Sequence, residues 1–553
     1  MFKGIFNFTT PVLAILIATL TAVPVGLADE KIEKTKLGGG VPSANARVGH
    51  PDNVLPEGFS LQLLAEGSDP LENPSGVITQ FGFLNDSPPQ PIEATKTEAD
   101  ENTYLVLDHN PGGPTPGYDY GRHFLFQGHE NGGDRAYITR INLDVTDPAH
   151  RITLLTPVGG DGKTHFNRID GSTWNPHPQT LLFTQENGAQ GGVIEIGVDW
   201  GSSPRTLYGI LGRGGYEGIH PDDRGNLIII EDVGGTSVNV DPANPTSPKA
   251  ARNPNSFVYR FVPYKVSDLS AGGELQALQV WIDGQPVQFV PVDTVHPFGD
   301  VFSSNQLKLH TLGTSWPVRW VTVHDTATDG TAEFDANAKA KAAGATPFKR
   351  PENLQFLPGS GFNTFFFDPT GDTNASAGNQ PALAARGAWG SIFRVDFDGD
   401  EDDDRFDFDD DSKTGKISIF VLGDQFHSSF DNLAFVDTHI LLAAEDRGDT
   451  LHKQLNLLDS VWAYDVRKPN AEPVRFLALG WDIASEIDAA FLDANTVGFQ
   501  NDGDNEPTGV HVSDGDPSVN GLLGKPTNPD ERRIFFTQQH GENRVWEVLG
   551  GGD

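Results

Sequence analysis

The chain has 553 residues, with 39 basic against 76 acidic side chains and a formal charge of −37. A surface of that charge repels nucleic acid and anionic lipid, so neither is expected as a partner. There is no cysteine, which excludes disulfides, thiolate chemistry and thiolate-bound zinc.

The N-terminus reads as a secretory signal peptide over residues 1–28. Lys3 supplies a positive start, and residues 12–25 are apolar apart from Thr19, Thr21 and Pro24. Gly26 and Ala28 then place small residues three and one before a cut ahead of Asp29. The apolar run is shorter than the ~20 residues a membrane span needs. A secreted or periplasmic protein, free of the membrane once the leader is removed, is therefore expected. Residues 29–60 are polar and form an N-terminal arm. Residues 61–553 are expected to form one domain.

Within that domain, 62 glycines, 39 prolines and 35 phenylalanines suit many short strands joined by turns. One pattern recurs six times: an apolar strand ending in a polar or acidic pair, a loop, and a second strand. Its copies are FLFQGHENGG with AYITRINLD, TLLFTQENG with GGVIEIGVDW, and NLIIIEDVGG with SFVYRFVPY. NTFFFDPTGD with GSIFRVDFD, ILLAAEDRGD with SVWAYDV, and RIFFTQQHGEN with RVWEVLG complete the set. The copies are unevenly spaced, whereas a minimal propeller blade needs ~40–45 residues. The fold class is therefore all-β, a six-bladed β-propeller with long inter-strand insertions; a two-sheet sandwich is the alternative. The one helix candidate is TAEFDANAKAKAA at residues 331–343, ended by Gly344.

A second element precedes five of these strands: an acid followed by an apolar strand start. The acids are Asp170, Glu217, Glu352, Asp431 and Glu506. If each begins the innermost strand of a blade, all five face the central channel, where like charges repel unless cations offset them. Oxygen-rich rings suit hard cations such as Ca2+ or Fe3+. Further candidates are the strand-end pairs His129-Glu130, Glu186-Asn187, Glu231-Asp232, Glu445-Asp446 and Gln539-His540. The acidic run at residues 396–411 reads as a solvated loop: it contains D-x-D-G-D but lacks the spaced glutamate of a calcium-binding loop.

In order along the chain, Gly128-His129-Glu130-Asn131, Asp170-Gly171-Ser172-Thr173-Trp174, Tyr216-Glu217-Gly218, Arg350-Pro351-Glu352, Phe430-Asp431-Asn432-Leu433 and Glu506-Pro507-Thr508-Gly509 resemble the PhoX-type alkaline phosphatase family. The resemblance implies phosphomonoester hydrolysis at an axial iron and calcium cluster, with a small phosphate ester as substrate. It implies Glu186, Glu217 and Glu352 as shared metal ligands, Asp431 and Glu445 as calcium-side ligands, and Arg350 as the phosphate-binding arginine. Two positions depart from the family. Asp170 stands where an iron-binding cysteine is usual, so it becomes a carboxylate ligand. The family's phosphate-binding lysine is absent before Asp431, where His427 is the candidate in its place. Two other readings fit the residues: a calcium-stabilised propeller that binds a glycan or protein without catalysis, and a metal-dependent esterase or lactonase.

Overall fold

The computed structural model describes residues 40–82, 98–397, 415–481, 505–522 and 532–550. The leader, residues 29–39 of the arm and residues 398–411 of the acidic run lie outside the described residues. No described helix is long and apolar enough to cross a membrane.

Short strands follow one another as antiparallel meanders. After β1 (Ser60–Ala65) come β2 (Glu98–Val106), β3 (His123–Glu130), β4 (Tyr137–Asn142) and β5 (Ile152–Leu154), which pair in that order as one sheet. The next sheet is β6 (Ile169–Asn175), β7 (Thr180–Gln185), β8 (Gly192–Ile196) and β9 (Arg205–Thr206). Then follow β10 (Tyr216–Pro221), β11 (Leu227–Glu231), the small hairpin of β12 (Ser237–Val238) and β13 (Ala251–Arg252), β14 (Val258–Pro263), β15 (Gly273–Ile282) and β16 (Gln285–Pro286). β17 (Ser315–Asp325) comes next, before β18 (Pro351–Phe356), β19 (Thr364–Pro369), β20 (Ser391–Phe397) and β21 (Gly415–Leu422). β17 pairs with both β15 and β21, so it joins the meanders β10-β11-β14-β15 and β18-β19-β20-β21 into one ten-stranded sheet, with β16 on β15. The sheet β22 (Phe430–Phe435), β23 (Ile440–Glu445), β24 (Ser460–Asp465) and β25 (Val474–Ala478) follows. Last come β26 (Glu506–Ser513), β27 (Arg533–Gln539) and β28 (Arg544–Leu549), to which β1 adds an outer strand from the other end of the chain.

The arrangement is propeller-like. The first strands of the meanders contact one another in a closed succession: β2 against β6, β6 against β10, β10 against β18, β18 against β22, β22 against β26, and β26 against β2. All six strand pairs of the recurring sequence pattern are second and third strands of these meanders (β3-β4, β7-β8, β11-β14, β19-β20, β23-β24, β27-β28). Apolar faces of neighbouring sheets pack together: Phe124, Phe126 and Ile138 meet Leu181, Phe183 and Ile194 in one such layer. The helix candidate is realised as Ala336–Ala343, capped by the Asp335 side chain on Ala338 N and closed by Gly344 in the left-handed conformation. Of the arm, Val41 N donates to Arg475 O, and Val54 bridges to Ala478 at the edge of β25.

Every first strand carries a β-bulge at the same place. In β6, Ile169 pairs with Gln185 and Ser172 with Phe183, so residues 170 and 171 oppose one residue of β7. The same two-against-one step falls at 100–101 in β2, 217–218 in β10, 352–353 in β18, 431–432 in β22 and 509–510 in β26. A bulge bends the strand and re-aims the side chain at its first position. That position holds Asp100, Asp170, Glu217, Glu352 and Asp431, with Gly509 in the sixth strand. The second position is sterically tight where strands of neighbouring meanders converge. A Cβ on Gly171 would lie 2.2 Å from the carbonyl oxygen of Glu217, and one on Gly218 2.9 Å from Cα of Asn353.

Side-chain hydrogen bonds tie neighbouring meanders together where backbone ladders are absent. Thr184 Oγ1 donates to Glu217 O at 2.6 Å, Asn102 Nδ2 to Gly509 O at 2.8 Å, and Ser172 N to the Glu101 carboxylate at 2.7 Å. Gly171→Ala is expected to force β6 away from β10 and destabilise the protein by ~1–3 kcal/mol or more, the cost of overpacking against backbone. Calorimetric unfolding checks this: an unchanged midpoint would show that the strands can separate freely.

Candidate metal centre

The turn that enters a first strand places its carboxylate. Arg168, Arg350 and Ser429, each two residues before a bulge acid, sit at φ of +45°, +53° and +55°. Non-glycine residues seldom occupy this region, and such strain persists where surrounding structure enforces it. The enforcing bond is the same in each case. Glu186 N donates to Arg168 O, Thr370 N to Arg350 O and Asp446 N to Ser429 O; Asp232 N donates likewise to Gly215 O. Residues 186, 232, 370 and 446 therefore occupy equivalent places, just past the second strand. Glu130 holds the matching place after His129, which pairs with Ala99. A second set of acids, Glu130, Glu186, Asp232 and Asp446, thus stands beside the bulge set.

The two sets converge. Carboxylate oxygens of Asp100, Glu130 and Asp170 lie within 4.8 Å of one another, as do those of Asp170, Glu186 and Glu217, and those of Glu217, Glu352 and Asp431. The triads are linked through Asp170 and Glu217. Glu130 Oε1, Asp170 Oδ1 and Asp431 Oδ2 are buried without a hydrogen-bond partner. Buried polar oxygens are rarely left so, and acceptors facing each other cannot satisfy one another unless protons or cations intervene. A donor set made wholly of carboxylate oxygens fits a hard cation.

The electrostatics follow from burial and crowding. Burial first, then neighbouring carboxylates, push Asp170, Glu217, Glu352, Asp431 and Glu130 well above the usual carboxyl range. Burial pushes Glu186 and Glu506 up to about 8 and Asp100 up to about 6. Few positive groups stand against them. His540, whose burial opposes charging, is nevertheless held protonated by contacts with Glu98 and Glu506, both at 3.2 Å. Arg350 is gripped by Asp232, with Nε at 2.9 Å and Nη2 at 2.8 Å from Oδ2, and Nη2 lies 3.3 Å from Glu352.

Of the residues singled out from sequence, Asp170, Glu186, Glu217, Glu352 and Asp431 come together, and Arg350 stands beside them. Glu445 does not join them. It is fully buried within its own sheet, where it accepts from Arg447 Nη2 at 2.7 Å, Ser428 N at 2.9 Å and Ser460 N at 3.0 Å. Its neighbour Asp446 takes the ring position. Consecutive residues of an extended strand face opposite sides, so a slip of one exchanges a ligand for a core residue. The pair Glu231-Asp232 behaves alike: Glu231 accepts from Tyr259, Asn337 and Phe257 N, while Asp232 faces Arg350. His427 is also turned elsewhere. Its ring nitrogens face Asp424 at 3.1 Å and Glu472 at 3.9 Å, and its ring packs edge-on against Trp462. Glu506 lies three residues before the bulge of β26, contacts His540, and stands within electrostatic reach of Asp431 at the cluster's edge. Asp100 is the ring acid that the sequence pattern passed over; its signal was an acid at the start of a strand followed by the second strand FLFQGHE.

These features define a class: an all-β, propeller-like protein with linked carboxylate triads where its sheets converge. Residues 236–470 match the family model described as alkaline phosphatase PhoX. The matched stretch contains Arg350, Glu352, Asp431 and Asp446. Among solved structures, it is similar to Pseudomonas fluorescens PhoX in complex with vanadate, a transition state analogue, with 15% identity and a TM-score of 0.52 over 93% of this chain and 98% of that one. A weaker likeness, with 12% identity and a TM-score of 0.32, covers 91% of this chain and 99% of the pyranose dehydrogenase PQQ domain from Coprinopsis cinerea. No curated protein matches the sequence.

Two outcomes test the site. Asp431→Asn is expected to lower bound metal, whereas Glu445→Gln should leave metal content unchanged and cost ~3–5 kcal/mol of stability by stranding buried Arg447. Elemental analysis with denaturant unfolding of both variants separates the roles; metal loss in Glu445→Gln would return that residue to the ligand set. In chelated protein, the raised carboxyls bind more protons folded than unfolded between about pH 4.5 and 8. Stability of the metal-free protein should therefore fall as pH rises through that window. Unfolding midpoints between pH 5 and pH 8 check the sign.

Proposed function

We propose that this chain is an exported, metal-dependent phosphomonoesterase on a six-bladed propeller, acting on small phosphate esters. The observation that carries the reading is the set of linked carboxylate triads beside Arg350, joined to the PhoX match over residues 236–470. The closed succession of six first strands supports six blades, two of them bridged by β17. The leader pattern over residues 1–28 supports export to the periplasm or exterior.

Asp170, Glu186, Glu217, Glu352 and Asp431 would hold the metal ions, with Asp100 and Glu130 extending the set. Ca2+ and Fe3+ are the cations that this oxygen-only donor set suits. Bound there, such cations would offset the charge of a phosphate dianion and polarise its oxygens. The protein's own contribution is positioning. Asp232 fixes the Arg350 guanidinium by two hydrogen bonds and leaves Nη1 for the substrate. The left-handed backbone at Arg350 directs that side chain toward the acids, and the Thr370 bond holds the turn. A preorganised donor of this kind is worth ~10²-fold or more in rate.

Elemental analysis beside an assay with p-nitrophenyl phosphate, with and without Ca2+, tests the assignment. Bound metal with metal-dependent turnover is expected; metal without turnover would instead favour a calcium-stabilised binding module. Arg350→Ala is expected to reduce kcat/KM by ~10²-fold with metal retained, and Arg350→Lys to restore only part, since an ammonium lacks the fork geometry.

A further inference from the structure

The long insertions build a cavity of about 350 Å³ against the acid cluster. One wall is the β12-β13 hairpin, which rises from the segment between β11 and β14. The opposite wall comes from residues 372–374 and 446–450. The hairpin is not a loose flap. Val238, Val240 and Ala251 pack with Val301, Ala377, Leu383 and Ala388 in a separate apolar core. The cavity is thus a preformed space with fixed walls.

Its lining is almost wholly polar; Ala250 is the one hydrophobic residue on it. Recognition there depends on charge and hydrogen bonding. Four basic side chains stand on its wall: Lys249 is exposed to solvent at the rim, and the three arginines differ sharply in availability. Arg350 has two of its nitrogens committed to Asp232. Arg447 is buried, and its guanidinium is spent on Glu445, Ser428, Leu458 O and Phe426 O. Arg252 is different. Its backbone N donates to Asp372 Oδ1 at 2.7 Å, and Asp372 Oδ2 is taken by Lys349 at 3.0 Å. No hydrogen bond or ion pair of the Arg252 guanidinium exists among the described residues. The guanidinium is half-buried, passes close to Gly234, where a Cβ would stand 3.0 Å from Nη1, and lies within electrostatic reach of Arg350 and of the carboxylates of Asp232, Asp372 and Glu352, none of which it hydrogen-bonds.

A planar cation with all its donors open, partly withdrawn from water and beside another guanidinium, is an unstable arrangement without an anion between them. We propose that Arg252 is a second phosphoryl-binding arginine, which with Arg350 brackets the phosphate dianion in this cavity. The inference rests on the phosphomonoesterase reading for its substrate class, while its physical content is oxyanion binding. Arg350, gripped by Asp232, orients the anion; Arg252 contributes a fork whose donors are open. The two lie on different elements, so the anion bridges the hairpin and the β18 turn across a preformed gap.

The test uses the metal-loaded protein and inorganic phosphate as probe. Calorimetric titration of wild type, Arg252→Gln and Arg252→Lys should show phosphate binding weakened by ~10- to 100-fold in Arg252→Gln, the range for losing charge-assisted hydrogen bonds, and by less in Arg252→Lys. Metal content and unfolding midpoint should not change. In turnover of p-nitrophenyl phosphate, the loss should appear chiefly as a raised KM. Phosphate binding in Arg252→Gln equal to wild type would overturn the proposal. If Arg252→Gln fails to fold, Arg252→Lys decides: a well-folded lysine variant with wild-type affinity and KM overturns it. Wild-type protein that binds phosphate through Arg252 yet hydrolyses no ester would sink the phosphatase reading and leave this one standing.

Discussion

Like charges buried side by side are the constraint on which the rest of this protein depends. Carboxylates left in low dielectric repel one another and lose hydration, and both effects grow as the strands that carry them approach. Yet the first strands approach closely enough that glycine is needed at residues 171 and 218. The fold therefore brings together what electrostatics would separate. Without cations, protons must resolve the conflict, which is why burial and crowding raise these acids so far. With cations, the same geometry becomes a binding centre at no further cost in rearrangement.

Holding that geometry requires more than the hydrophobic layers between sheets. The bulge and the left-handed entry turn act at the level of single residues. In five of the six first strands the bulge removes a carboxylate from the ordinary alternation and directs it inward. Four entry turns are closed by an amide from the residue after the second strand, and in three of them that residue is a second-set acid (Glu186, Asp232, Asp446), so one backbone hydrogen bond positions it beside the bulge acid. Repetition of the bulge around the succession of sheets brings carboxylates from five different first strands into linked triads.

The insertions add what the repeated strands lack. The repeated framework supplies almost only negative charge, which alone would repel a phosphate ester. The cavity wall reverses this locally with Arg252 on the β12-β13 hairpin and Arg350 on the turn before β18. Both lie within the stretch that matches the PhoX model, as do the hairpin's supporting core residues. The anion recognition proposed for this cavity would thus come from segments that look like irregular loop in the sequence, anchored by their own small apolar core.

Much of the framework could be read from the chain alone. The six second-and-third strand pairs announced themselves because apolar runs ending in polar pairs are set by local hydrophobic periodicity. Asp170, Glu217, Glu352 and Asp431 were legible because the acid, a following Gly or Asn and an apolar start recur together. Helix 336–343 was legible from its alanines and Gly344. What the chain alone could not decide was phase. Whether Glu445 or Asp446, and Glu231 or Asp232, faces the centre depends on pairing register and on the bulge, which exist only once strands are aligned. Asp100 escaped notice because its strand, EADENTYLV, begins with polar residues that are buried only by the neighbouring strands β6 and β26. His427 was placed by a gap in a motif, whereas Asp424 and Trp462 decide its orientation. Arg252 carried no sequence signal at all: its role arises from the hairpin, Asp372 and Gly234, three features distant in sequence that share one cavity only because the insertions pack against each other.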